Sequence, residues 1–264
     1  MSRRNKRVLC CAAGALVICF TVIIGISVRS QKLGYILERT HQKYSGEETR
    51  RDVGYRIYIM NIPFGSFRLT EEPLIYEGRH ARKIHFQLRP PALFRAVSFD
   101  NIGLNLTTVM DAQDLLPYYF EQSDVYSAKK GKSPKRIVYH HEALWMERKG
   151  YKEDIWDDTR DVVSMIFWLM SQEYSDERFL KTTMNINRTI YLVAGKTREM
   201  DLPRKQFPQE RVVQVRLKIF QLDKTFNKSG EWGATAYLMK AGQRYLPLFF
   251  RANKGFIRIS GVLM

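Results

Sequence analysis

The pattern of apolar and polar positions divides this chain into two unlike parts. The stretch Val8–Val28 contains 21 residues and no charged side chain. A helix of that length, at about 1.5 Å per residue, extends about 31 Å, roughly the thickness of a bilayer's hydrocarbon core. After it, apolar and polar residues alternate in short segments, which is typical of strands. We therefore predict a cytoplasmic segment 1–7, a transmembrane anchor Val8–Val28, a juxtamembrane stalk 29–50 and one β domain 51–264.

Basic residues beside the apolar stretch predict its orientation. Four of them precede it and two follow closely: Arg3, Arg4, Lys6 and Arg7, then Arg29 and Lys32. Because lysine and arginine are retained on the cytoplasmic side, this asymmetry favours a cytoplasmic N-terminus and an extracytoplasmic, periplasmic β domain. The alternative is a signal peptide cleaved after Ser27, although the apolar run is longer than the core of such a peptide.

The rest of the chain is predicted to form ten to twelve strands and one helix. The segment after Asp52 alternates Tyr55, Ile57 and Ile59 with polar or aromatic neighbours, and Ile62–Gly65 is then expected to form a turn. Residues Asp158–Gln172 form the convincing helix, apolar almost all round and therefore buried. The predicted fold is mainly β: an antiparallel β-barrel or a strongly curved sheet that encloses one helix.

Charge and cysteine content narrow the partners. Beyond residue 32 the chain has 37 Lys and Arg against 27 Asp and Glu, a net charge of +10. On an exported domain, a positive net charge favours binding to anionic lipid or to an acidic envelope partner, or it serves only solubility. Because export keeps the domain away from nucleic acid, we do not expect nucleic acid as a partner. All three cysteines, Cys10, Cys11 and Cys19, lie in the predicted anchor, so we expect no disulfide framework and no thiol nucleophile in the β domain.

Candidate chemistry is sparse. Three aspartates cluster along the chain and are the best candidates for a carboxylate-dependent enzyme: Asp100, Asp111 and Asp114. Neighbouring His140 and His141 would point to opposite faces of a strand, which does not suit one metal ion. The acidic group Asp154, Asp157, Asp158 and Asp161 is expected to cap the helix. The sequence thus predicts no catalytic residue, no metal ligand and no cofactor site.

Four segments resemble a bacterial family known as domain of unknown function 3108. In the last segment, Arg244 and Pro247 match the Arg-x-x-Pro element of a strand that precedes the family's final glycine-containing strand. The resemblance implies an exported envelope domain with a lipocalin-like or barrel-like antiparallel fold, and it implies no catalytic residue. The segments that carry it span residues 51–264: Gly54–Thr70, Val109–Gln122, Asp158–Met170 and Gly230–Met264.

Three functions are consistent with these features. We expect a non-catalytic binding or scaffold module, held in the membrane by Val8–Val28, that takes an apolar or lipid-like ligand or an envelope protein. The alternatives are a carboxylate enzyme acting on an envelope polymer and a structural subunit of an envelope complex. The interior of the β domain, its volume and its lining, distinguishes the three.

Overall fold

A computed structural model describes residues 52–90, 104–124, 133–174, 177–200, 212–223, 227–242 and 244–264. The predicted anchor and stalk lie outside these residues. Within the described part of the chain, no helix is long and apolar enough to cross a bilayer.

The described residues form fifteen strands, one α-helix and one 3-10 turn. The strands are β1 Asp52–Ile59, β2 Ile62–Tyr76, β3 Arg79–Arg89, β4 Leu104–Asp111, β5 Pro117–Asp124, β6 Lys135–His140, β7 Trp145–Arg148, β8 Tyr151–Asp154, β9 Thr159–Asp161, β10 Phe179–Ile186, β11 Thr189–Met200, β12 Val212–Leu222, β13 Lys228–Ala241, β14 Arg244–Lys254 and β15 Ile257–Leu263. The helix, α1, is Val162–Ser171, and the 3-10 turn is His141–Ala143.

All fifteen strands belong to one sheet, and nearly every strand pairs with its neighbours in sequence. The order is β8-β7-β6-β5-β4-β3-β2-β1-β15-β14-β13-β12-β11-β10-β9. The first and last strands pair at its centre, with Tyr55 opposite Leu263. The β9–β10 pair is parallel, and the other pairs are antiparallel. The prediction of a mainly β domain with a single helix is therefore confirmed for the described residues.

Of the two predicted arrangements, an antiparallel β-barrel or a strongly curved sheet, the closed barrel is wrong. Among the described residues, the three-residue strand β9 pairs only with β10, and β8 pairs only with β7, so no ladder joins the two edges. Side chains connect them instead. The Thr108 hydroxyl on β4 donates to the Asp161 carboxylate on β9, and Ile190 of β11 packs against a core cluster of β6 and β7. The sheet therefore bends until its edges approach without pairing.

Helix α1 lies against the inner face of this bent sheet. Val163, Phe167 and Met170 join the larger core cluster with residues of β1, β2, β4 and β14, whereas Met165 and Leu169 join a second cluster with β10–β13. The helix is apolar on both sides because the sheet covers both sides. Its start differs from the predicted Asp158, because Thr159–Asp161 form a strand. Asp161, one of the acidic residues expected to cap the helix, is the N-cap and accepts from the amides of Val163 and Ser164.

The first hairpin also differs from its prediction. The turn is made by Met60 and Asn61, both with positive φ, and Ile62 already pairs with Ile59. Gly65, expected in the turn, lies within β2 at a bulge, where its φ is +148°. A Cβ atom there would lie 2.2 Å from the Arg89 carbonyl oxygen, so glycine is needed for the close approach of β2 and β3.

Candidate functional site

A cavity of about 330 Å³ opens at the end of the sheet where β1 begins. The turns β2–β3, β4–β5 and β13–β14 meet at this end because the antiparallel strands alternate in direction. The last turns of α1 close the inner side. The lining residues are Val53, Leu69, Glu71, Pro73, Leu74, His80, Ala81, Arg82, Ala112, Phe167, Met170, Ala241, Arg244 and Leu246.

One wall of the cavity is apolar. Leu69 of β2, Leu246 of β14 and the helix residues Phe167 and Met170 are all buried and belong to the larger core cluster. Phe167 and Met170 lie three residues apart in the sequence, which places both on the same face of α1. The wall is thus a continuation of the hydrophobic core, and it favours an apolar ligand.

Beside this wall lies one carboxylate between two guanidinium groups, which we term the Arg–Glu–Arg cluster: Glu71, Arg82 and Arg244. Arg244 binds Glu71 with both terminal nitrogens, at 2.6 Å (Nη1 to Oε2) and 3.1 Å (Nη2 to Oε1). Arg82 donates to Glu71 Oε1 at 2.9 Å, and its Nε donates to the carbonyl of Ala112 at 3.1 Å. The Glu71 side chain is only 11% exposed, whereas the two arginines are about a quarter exposed.

The net positive charge of this cluster favours the binding of an anion. Two guanidinium groups face one carboxylate, so the cluster keeps one positive charge beside an apolar wall. Arginine presents a planar set of N–H donors that matches a carboxylate or phosphate. Because water is partly excluded here, the attraction to a second anion is stronger than on an open surface.

A second polar cluster lies deeper, around the N-cap of α1. Asp161 is 1% exposed, and its Oδ1 accepts from the Thr108 hydroxyl at 3.0 Å and from the amides of Val163 (2.7 Å) and Ser164 (3.0 Å). Among the described residues, its Oδ2 has no hydrogen-bond partner. Burial raises the pKa of Asp161 to about 6, against the opposing effect of these hydrogen bonds.

Several side chains close to Asp161 are also buried. Asn185 lies opposite it in the parallel β9–β10 pair and accepts from the Tyr139 hydroxyl at 3.4 Å. Burial, with the nearby Asp161 carboxyl, raises the pKa of Tyr139 well above its ordinary value. Arg160, the residue before Asp161, donates to Thr182 Oγ1 at 2.9 Å, and burial lowers its pKa. This cluster is enclosed in the core, so its chemistry is structural rather than directed at a ligand.

An open, polar groove lies outside the second cluster, at the β4–β5 turn and the C-terminal turn of α1. Arg160 reaches it and donates to the carbonyls of Asp158 (2.7 Å) and Asp114 (3.2 Å), with its guanidinium 5.1 Å from the centre of the Trp168 ring. Arg160 thereby connects the β9 edge to the β4–β5 turn. The groove is wide and shallow, and the terminal nitrogens of Arg160 already donate to protein oxygens.

Of the three carboxylates that the sequence offered as catalytic candidates, Asp100 lies outside the described residues, and Asp111 and Asp114 do not line the cavity. Asp111 accepts from the amides of Gln113 and Asp114 and from the Tyr118 hydroxyl. Burial alone would raise the pKa of the Asp111 carboxyl, but these hydrogen bonds outweigh it, so its pKa lies below the ordinary value. Asp114 is exposed beside the groove. Asp111 therefore acts as a turn-stabilising group.

The other sequence candidates have structural partners. His140 stacks on Trp145 with ring centres 3.7 Å apart, and the His141 Nε2 lies 3.1 Å from the Pro117 carbonyl oxygen. Asp158 accepts from the Thr183 hydroxyl at 2.8 Å. In the part of the chain that the structure describes, no three His, Cys, Asp or Glu side chains come together as metal ligands would.

Sequence reasoning missed the Arg–Glu–Arg cluster. Glu71 and Arg244 are 173 positions apart, and no local spacing connects them. The only available signal was a glutamate near the end of one predicted strand and an arginine at the start of another, which has no meaning until the strand order is known.

Comparisons of this chain with protein-family models, with curated proteins and with solved structures find no match. The resemblance to domain of unknown function 3108 therefore stays a prediction.

Proposed function

We propose that this protein is a membrane-anchored, non-catalytic binding module of the cell envelope, and that its cavity binds a small amphipathic anion such as a medium-chain fatty acid. The observation that carries the proposal is the joint lining of the cavity, which combines an apolar wall from the core with the adjoining Arg–Glu–Arg cluster. Its volume, about 330 Å³, is at the small end of the range of ligand pockets, roughly 300–1,000 Å³.

The location of the cavity agrees with this function. Strand β1 begins at Asp52, at the end of the sheet where the cavity opens. A chain leaving the predicted anchor Val8–Val28 through the stalk 29–50 reaches the folded domain at this end. A lipid-like ligand would then pass from the bilayer to the cavity without crossing the length of the sheet.

The geometry favours binding over catalysis. The cavity lining contains one carboxylate, Glu71, and both of its oxygens accept hydrogen bonds from arginine. A general base must lie within hydrogen-bond reach of a substrate proton, and these oxygens are already engaged by Arg82 and Arg244.

Photocrosslinking of the full-length protein in lipid nanodiscs tests the proposal. The probe is decanoate carrying a terminal diazirine, compared with a decylamine carrying the same group. We expect decanoate to label peptides that contain Phe167, Met170 or Leu246, and expect decylamine to label them much less, because the site retains a positive charge.

Two variants localise the effect. Arg244→Gln should reduce labelling by decanoate about tenfold, since it removes the arginine that binds Glu71 with two nitrogens. Arg68→Gln is the matched control, because Arg68 is an exposed arginine on β2 that pairs with Asp52 outside the cavity lining. Equal labelling by the two probes, or labelling spread over the surface, would refute the proposed function.

A further inference from the structure

The end of the sheet opposite the cavity carries an exposed apolar surface, the tip patch, formed by the β1–β2 and β14–β15 turns. Its members are large side chains that the fold leaves in solvent: Met60, Ile62, Phe256, Ile257 and Ile259. Phe256 is 86% exposed, Ile62 63% and Met60 50%. Exposed apolar side chains scattered singly need no explanation, but a contiguous group marks an interaction site.

The two turns form one continuous structure. Ile59 lies opposite Ile259 in the β1–β15 pair, and the amide of Met60 donates to the carbonyl of Arg258 at 2.8 Å. Each turn has two residues between paired strand ends: Met60 and Asn61 in one, Gly255 and Phe256 in the other. The patch therefore lies on two adjacent turns that are held together by strand pairing and a backbone hydrogen bond at the centre of the sheet.

Local conformation does not account for the apolar residues. Met60 has a φ of 51°, a position where asparagine and glycine are favoured and where a methionine costs about 1 kcal/mol. In the other turn, Gly255 takes the positive φ of 56°, so the following position is free to carry any residue, and it carries Phe256. Neither side chain contributes to the core. Since neither the turns nor the core require apolar side chains at Met60 and Phe256, contact with a binding partner would account for them.

Charge distinguishes the kinds of partner. Close to the tip, the segments 56–66 and 250–260 contain four basic residues and no acidic one: Arg56, Arg251, Lys254 and Arg258. The nearby Glu231 is paired with Lys218 at 3.0 Å. Beside the patch, the ammonium of Lys254 lies 4.5 Å from the centre of the Trp232 ring. An apolar tip bordered by tryptophan and cations is the arrangement that suits a lipid interface, with the apolar tip among acyl chains and the cations among headgroups.

We propose that the tip patch docks on an anionic lipid surface, inserting Phe256 and its apolar neighbours while Lys254 contacts the headgroups. This site is separate from the cavity: β1 has eight residues at about 3.3 Å each, so the two ends of the sheet are about 26 Å apart. The proposal does not depend on what the cavity binds.

Vesicle flotation tests the docking. Full-length protein in nanodiscs of phosphatidylcholine is mixed with separate vesicles of phosphatidylcholine, with or without phosphatidylglycerol. We expect flotation with the phosphatidylglycerol vesicles and a decrease in flotation as salt is added. Phe256→Asp should weaken the partition about tenfold or more, because it removes the most exposed apolar side chain of the tip. Lys254→Glu should weaken binding to the phosphatidylglycerol vesicles only.

The matched control is Phe179→Asp. Phe179 is also an exposed phenylalanine, 72% accessible, with the ammonium of Lys196 4.6 Å from its ring centre, but it lies on β10, far from β1 in the strand order and outside the tip patch. The Phe179→Asp variant should float like the unaltered protein. No flotation, or equal losses for Phe256→Asp and Phe179→Asp, would overturn the proposal and favour a protein partner for the patch. Arg244→Gln should leave flotation unchanged, so a failure of the cavity proposal is recognised separately.

Discussion

Asp161→Asn is the sharpest test of the energetics of this core. The folded chain holds the Asp161 proton up to about pH 6, whereas the unfolded chain releases it near 3.8. When folding raises the pKa of a carboxyl, the protonated carboxyl stabilises the native state at pH values below its pKa in the unfolded chain. This stabilisation is lost as the pH rises through its pKa in the folded chain. Two pKa values that differ by about two correspond to about 3 kcal/mol. Ionisation of this one carboxyl should therefore lower the free energy of unfolding by that amount between pH 4 and pH 7.5.

The substitution keeps the cap and removes the titration. The side-chain oxygen of the introduced asparagine can accept from the same two amides that Oδ1 of Asp161 binds, and asparagine is a good N-cap residue. Any cost of the new N–H donors is the same at every pH, so it cancels when the two pH values are compared. The stability of Asp161→Asn relative to the unaltered protein should thus improve by about 3 kcal/mol from pH 4 to pH 7.5.

Urea unfolding of the full-length chain in a non-ionic detergent, followed by circular dichroism across this pH range at constant ionic strength, measures the difference. Titrating groups common to both proteins, such as His85 and His141, whose pKa values are lowered by burial, cancel in the comparison. Asp161→Ala is the control: it loses the cap at all pH values, by about 1–2 kcal/mol, and shows the same pH trend. A difference that is independent of pH would refute the argument from burial.

Three further predictions concern single contacts. Glu71→Gln should lower the melting temperature, because two arginines are left facing each other, yet strengthen decanoate crosslinking. Gly65→Ala should cost about 2–4 kcal/mol in urea unfolding, since its Cβ would lie 2.2 Å from a carbonyl oxygen, whereas Gly78→Ala, with open space around it and a φ of 78°, should cost about 1. Arg160→Ala should cost about 3 kcal/mol because it removes three hydrogen bonds from a buried guanidinium, whereas exposed Arg216→Ala should stay within about 0.5; similar losses would refute the role of Arg160.

Period-two alternation predicted the strands that bury one face, and it failed where both faces are covered. Strand β12 alternates buried and exposed residues along Val215–Ile219, which is the pattern that identifies such a strand in a sequence. Strand β10 instead buries Thr182, Thr183, Met184 and Asn185 in succession, because the bent sheet brings other elements over both of its faces. Polar residues without alternation resemble a loop in the sequence. The buried position of these threonines depends on the neighbouring β9 and α1, which a local pattern does not contain.

Sequence reasoning also placed the first turn incorrectly for a physical reason. Proline and glycine are the strongest turn signals, so Pro63 and Gly65 drew the prediction toward Ile62–Gly65. The observed turn uses Met60 and Asn61, and the glycine serves a close approach between strands. The residue that departs most from turn preferences, Met60, belongs to the tip patch. Departures from local preference of this kind are expected at functional surfaces.

The strand directions give the two ends of the sheet different roles. Because β1 starts at Asp52 and ends beside Met60, a chain arriving from an anchor before it meets the cavity first and the tip patch last. A patch made to dock on the same bilayer would require the domain to turn over on the predicted stalk 29–50. Tethering on one side and docking on the other would instead connect two lipid surfaces. The docking proposal is for this second arrangement, and flotation on separate vesicles tests it directly, since only an outward tip reaches a membrane that does not hold the anchor.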